Sequence, residues 1–139
     1  MTIEPTTRQT EMAVLTRLRP DYLEVHYRKG CVFNTTGLQE VQEARRDLMG
    51  SHPYGMLSLL PDDADFELSA MNVDHLAKDR KDGAMLAVAV VAPANMLEMV
   101  LKLYFSYFPQ NNRVKVCSDE AEARSWIQAQ LEEVARTGS

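Results

Sequence analysis

The chain has 139 residues, of which 45% are hydrophobic and 25% charged, and its formal net charge is -5. That length suits one domain with a real core, and the composition excludes a disordered chain. The acid excess leaves no broad positive field, which excludes nucleic acid as the main partner because phosphate binding needs clustered Lys and Arg.

Residues 1–10 are polar and Thr-rich and read as a flexible tail, with residues 11–139 as a single domain. The opening MTIEPTTRQTEM has no apolar h-region, so it does not read as a signal peptide. Met12 to Leu18 and Tyr22 to Tyr27 are strand-like runs around the turn residues Arg19-Pro20-Asp21, a hairpin pattern. Cys31-Val32-Phe33 extends the sheet or leads into the first helix. Thr36 and Gln39 form a capping-box pattern for that helix. Leu38, Val41, Arg45 (through its stem) and Leu48 share one of its faces, and Gly50 stops it. Gly55 to Leu60 is then a short buried strand.

Pro61 to Asp65 is an acidic loop. Ser69 is placed to cap a second helix running to about Lys81, with Val73, Leu76 and Ala77 facing inward. Ala84 to Ala92 carries no charge and reads as a central strand covered on both faces. Pro93 suits the first turn of a third helix reaching Phe108. The apolar stretch from Ala84 to Leu101 is broken by Pro93, Asn95 and Glu98, so no membrane span is expected. Arg113 to Cys117 alternates as a further strand. Asp119 and Glu122 cap a last helix, in which Ala123, Trp126, Ile127, Gln130, Leu131 and Val134 recur at helical spacing. The order predicts an α/β fold with a mixed, mostly parallel sheet of about five strands, an N-terminal hairpin and about four helices.

Three segments carry a family resemblance: the hairpin with Tyr22 to Tyr27, the passage AMLAVAVVAPANMLEMV, and the ending VKVCSDEAEARSWI. Together they resemble the SpoIIAA-like fold of STAS domains, found in sulfate transporters and anti-sigma-factor antagonists. The chain is most similar to bacterial STAS/SEC14-like single-domain proteins without an assigned function. The resemblance implies a non-enzymatic regulatory or protein-interaction domain in the cytoplasm. The alternative it implies is a module that binds a small apolar ligand or lipid. Anti-sigma-factor antagonists carry a phosphorylatable serine in an Asp-Ser-Ser/Ala-Gly-like motif. Here the stretch reads Asp65-Phe66-Glu67-Leu68-Ser69-Ala70, without the Asp-Ser pair and the Gly. Ser69 is the candidate phospho-switch, and a plain helix cap is the simpler reading of it.

No catalytic constellation stands out. His26, His52 and His75 lack metal-ligand spacing, so neither a metal nor a cofactor is expected. Cys31 and Cys117 form no CxxC pair, which suits a reduced compartment, and Cys117 reads as a small core residue. Asp62, Asp63, Asp65 and Glu67 lack calcium-loop spacing. No nucleophile elbow or phosphate-binding glycine loop occurs. The third helix is more informative. Asn95, Glu98, Lys102 and Ser106 form a narrow polar stripe, and most of the remainder is large and apolar. One face on a sheet does not absorb that much apolar surface. Either neighbouring helices or the tail cover the surplus, or it marks Met96, Met99, Val100, Leu103, Tyr104, Tyr107 and Phe108 as an interface, expected to form a homodimer or receive a protein partner. The same surplus would also suit an apolar ligand groove.

Overall fold

The computed structural model describes residues 4–77, 83–93, 95–108 and 113–137. Its main sheet contains six strands: β1 (Thr6–Gln9), β2 (Ala13–Arg19), β3 (Tyr22–Tyr27), β5 (Tyr54–Leu59), β7 (Met85–Val91) and β8 (Val114–Cys117), in the order β1-β2-β3-β5-β7-β8. The first three pair antiparallel, and β3, β5, β7 and β8 run parallel. Two short strands, β4 (Val32–Phe33) and β6 (Asp65–Phe66), pair separately. Among the described residues the complete α-helices are α1 (Thr35–Met49), α2 (Asn95–Tyr107) and α3 (Glu120–Thr137).

Two details correct the sequence reading. The expected tail contains β1, whose Thr6 lies opposite Arg17 and Gln9 opposite Val14. All four β1 residues are exposed, so no hydrophobic alternation announces the strand. The helix expected from Ser69 is interrupted: Leu68–Asn72 is a 3-10 helix, Val73 is extended, and α-helix begins only at Ala77. Glu67, not Ser69, stands at its N-cap, without a capping side-chain bond. Tyr104 holds the break between the 3-10 helix and Ala77. Its hydroxyl accepts from His75 N at 2.9 Å and donates to Val73 O at 2.6 Å, occupying backbone groups that a helix would use. The remainder of that expected helix, residues 78–81, lies outside the described residues.

Period-two alternation divides the sheet into two faces. Leu15, Leu23, Val25, Met56, Val88 and Val90 pack beneath α1 and α2, together with Val41, Ala44 and Leu97. On the opposite face Leu57, Ala87, Ala89 and Val91 meet Ala123, Ile127 and Leu131 of α3. The small residues there let α3 approach closely: a Cβ on Gly55 would stand 2.8 Å from Leu131 Cδ2. Asn34 caps α1 by accepting from Gly37 N at 2.7 Å. Gly50 ends that helix at φ 59°, a conformation suited to glycine, and its N–H donates to Arg46 O at 2.8 Å. Asp119 accepts from Ala121 N at 3.0 Å at the start of α3. Among the described residues, no helix is long and apolar enough to cross a membrane.

Candidate functional site

Helix α2 separates its apolar residues into three depths. Leu97 and Tyr104 are buried, while Val100, Leu101, Phe105 and Phe108 are half-buried. Met99, Leu103 and Tyr107 are 71%, 62% and 76% exposed. Their i, i+4, i+8 spacing aligns them along the solvent side of the helix. The expected interface set is therefore split. Met99, Leu103 and Tyr107 face water, Val100 and Phe108 are partly covered, and Tyr104 belongs to the interior. The side chains of Asn95 and Met96 lie outside the described residues. In the polar stripe, Lys102 Nζ pairs with Glu98 at 3.7 Å and Ser106 is exposed.

Beneath α2 lies a cavity of about 110 Å³. Its sheet wall includes Tyr27, Met56, Ser58, Val88 and Val90, and its opposite wall includes Leu38, Phe66, Leu97, Leu101 and Phe105. Few polar groups reach it. Arg45 Nε donates to Tyr54 OH at 3.2 Å and its Nη2 to His75 O at 3.3 Å. The His75 ring lies nearly parallel to Tyr104, with centroids 6.2 Å apart. His75 Nε2 donates to Ala70 O at 2.8 Å, which leaves Nδ1 to accept from Gln42 Nε2 at 3.3 Å. Burial holds this imidazole below its ordinary pKa against the hydrogen bond to Ala70 O, and the Arg45 cation adds to the depression. Ser58 is only 4% exposed and sits between Val25 and Val90 in register. Among the described residues its Oγ makes no hydrogen bond. The Tyr27 hydroxyl likewise has no partner there; burial pushes its pKa up to about 12, opposed by Arg45.

The opposite sheet face holds a cluster that the sequence reading did not single out. Glu24 is 6% exposed, and its Oε2 accepts from Tyr22 OH at 2.7 Å and from Arg124 Nη1 at 2.5 Å. Its Oε1 lies 3.0 Å from His26 Nε2 and 3.4 Å from Arg124 Nη2. Burial opposes its ionisation, but the hydrogen bonds from Arg124, Tyr22 and His26 prevail and hold the carboxyl below its ordinary pKa. Burial, with the neighbouring Glu24, raises the Tyr22 phenol. Arg124 Nε also reaches Glu120 at 2.9 Å. Both Glu24 oxygens are engaged, so the cluster is a clamp tying β3 to α3. Its sequence signal is an acid in the middle of the apolar strand YLEVHY.

The other predicted positions do not converge. Ser69 is exposed, on a polar groove also lined by Arg28, Lys29 and Asn34. In the acidic loop, Asp63 accepts from Gly30 N and Asp65 from Phe66 N, both at 2.8 Å. Cys117 is buried, and burial raises its thiol pKa. His52 is exposed. Among the described residues, no group of three or more His, Cys, Asp and Glu gathers as a metal site would require.

No family model and no curated protein matches the chain. A solved structure similar to it is that of an uncharacterized DUF3478-family protein with a SpoIIAA-like fold from Shewanella loihica PV-4. The sequences are 14% identical, and the match covers 89% of this chain and 92% of the other with a TM-score of 0.52. The likeness shows the fold.

Proposed function

We propose that this SpoIIAA-like domain is a non-enzymatic, cytoplasmic interaction module of STAS-like type, and that α2 is its contact surface. The observation carrying this reading is the exposed line Met99, Leu103 and Tyr107. Three large apolar side chains in register on one helix form a ridge, and aromatics and Met are enriched in protein interfaces. A second copy of the chain is the simplest partner, since one self-complementary patch serves both subunits of a twofold dimer. The Glu98–Lys102 pair and Ser106 supply a polar border. The net charge of -5 opposes association weakly, because exposed charges are screened beyond about 8 Å at physiological salt. Light scattering at micromolar concentration is expected to show a dimer for the wild type and a monomer of unchanged melting temperature for Leu103→Glu. A monomeric wild type rejects the dimer. Tyr104 is unsuitable for this test because its hydroxyl holds the Val73–His75 backbone.

A second reading is favoured by the cavity beneath α2: the domain is a binding module for a small apolar ligand. Dry apolar cavities of about 150 Å³ take up benzene, and this one is of comparable size and wall chemistry.

A further inference from the structure

We propose that the cavity beneath α2 is a site for an uncharged, roughly benzene-sized ligand carrying one hydroxyl, held by Ser58 and Tyr27. This rests on the second reading above and adds the chemistry of recognition to it. Ser58 occupies the middle of the sheet, between Val25 and Val90 on neighbouring strands, where a third valine would complete an apolar row. A serine there places a polar atom on a wall that is otherwise almost wholly apolar. Among the described residues its Oγ has no hydrogen-bond partner. Buried hydroxyls are normally partnered, so one left open toward a cavity points to a group that enters it. Tyr27 follows Val25 by two residues on the same sheet face, beside the Ser58 strand, and its hydroxyl is also without a partner among the described residues.

These two groups define the ligand's polar end. Each hydroxyl both donates and accepts, because the Tyr27 phenol stays protonated at neutral pH. A ligand hydroxyl can accept from or donate to either of them. An anion is disfavoured because the walls are apolar and Arg45 is already engaged with Tyr54 and His75. Val88, Leu97, Leu101 and Phe105 would enclose the apolar body.

The test titrates the whole protein with phenol and with benzene, reading dissociation constants from amide shifts of Val88 and Val90. Wild type is expected to bind both, phenol about tenfold more tightly, the difference one good hydrogen bond makes. Ser58→Ala and Tyr27→Phe should keep benzene binding and lose most of the preference for phenol. Ser58→Ala should also leave the melting temperature of the ligand-free protein unchanged or raised. Equal wild-type affinity for the two probes overturns the hydroxyl site while leaving the cavity reading intact. Binding of neither probe overturns both. A phenol preference that survives both substitutions, or a lowered melting temperature for Ser58→Ala, overturns the roles given to these residues.

Discussion

Glu24 shows how a single residue ties a sheet to its covering helix. Its carboxylate is buried, yet Tyr22, His26 and Arg124 all point at it. Replacing it with Gln keeps the shape and removes the charge that Arg124 addresses. The expected loss at neutral pH is roughly 1 to 3 kcal/mol, the range for an unsatisfied buried partner. The pH dependence has a defined sign. The folded carboxyl has a pKa below its ordinary 4.5, so it binds a proton less readily than in the unfolded chain. Its contribution is complete above pH 4.5 and disappears as pH falls through the folded value. Thermal unfolding across the acid range should show the wild type losing stability below pH 4.5 more steeply than Glu24→Gln. Parallel curves would contradict the clamp. The cluster was only half legible: alternation in YLEVHY puts Glu24 beside Tyr22 and His26, but Arg124 lies 100 residues further on. Only the docking of α3 brings it there.

At the scale of elements, the caps fall elsewhere than the sequence suggests: Asn34, not Thr36, caps α1, and Ser69 caps nothing among the described residues. Asn34 bonds Gly37 N at the head of α1, while Ser69 lies exposed inside a 3-10 helix. Asn34→Ala should cost about 1 kcal/mol in chemical denaturation, and Ser69→Ala should cost nothing measurable. A matching loss at Ser69 would restore the cap that the sequence suggested. Elements with a strong pattern were legible: the charge-free β7, the hairpin of β2 and β3, and α3, whose Ala123, Ile127 and Leu131 all turn inward. Elements made by contacts distant in sequence were not. β1 depends on pairing with β2, and the backbone around His75 depends on a tyrosine 29 residues away. The surplus on α2 was visible in composition, but its division between ridge and cavity was not, because depth depends on the sheet below.

At the scale of the whole molecule, the sheet is roofed unequally. Helices α1 and α2 share one face and α3 covers the other, resting on β5, β7 and β8. Val88 stands beneath the shared roof at the centre of the parallel strands, fully buried and paired in register with Met56 and Val114. An aspartate there would bury an unpaired charge, which a single domain of marginal stability does not tolerate. Val88→Asp should therefore give no cooperative melting transition. A soluble variant with the wild-type melting temperature would show that the centre of the sheet yields far more than its packing implies.

The unequal roof has a further consequence during synthesis. A ribosome makes β5, β7 and the helices of the first face before it makes α3. Until Ala123, Ile127 and Leu131 have left the exit tunnel, Leu57, Ala87, Ala89 and Val91 have nothing to lie against. A chain that folded as it was made would pass through a one-sided stage with a bare apolar sheet, and α3 would decide when that surface is withdrawn from chaperones and from other growing chains.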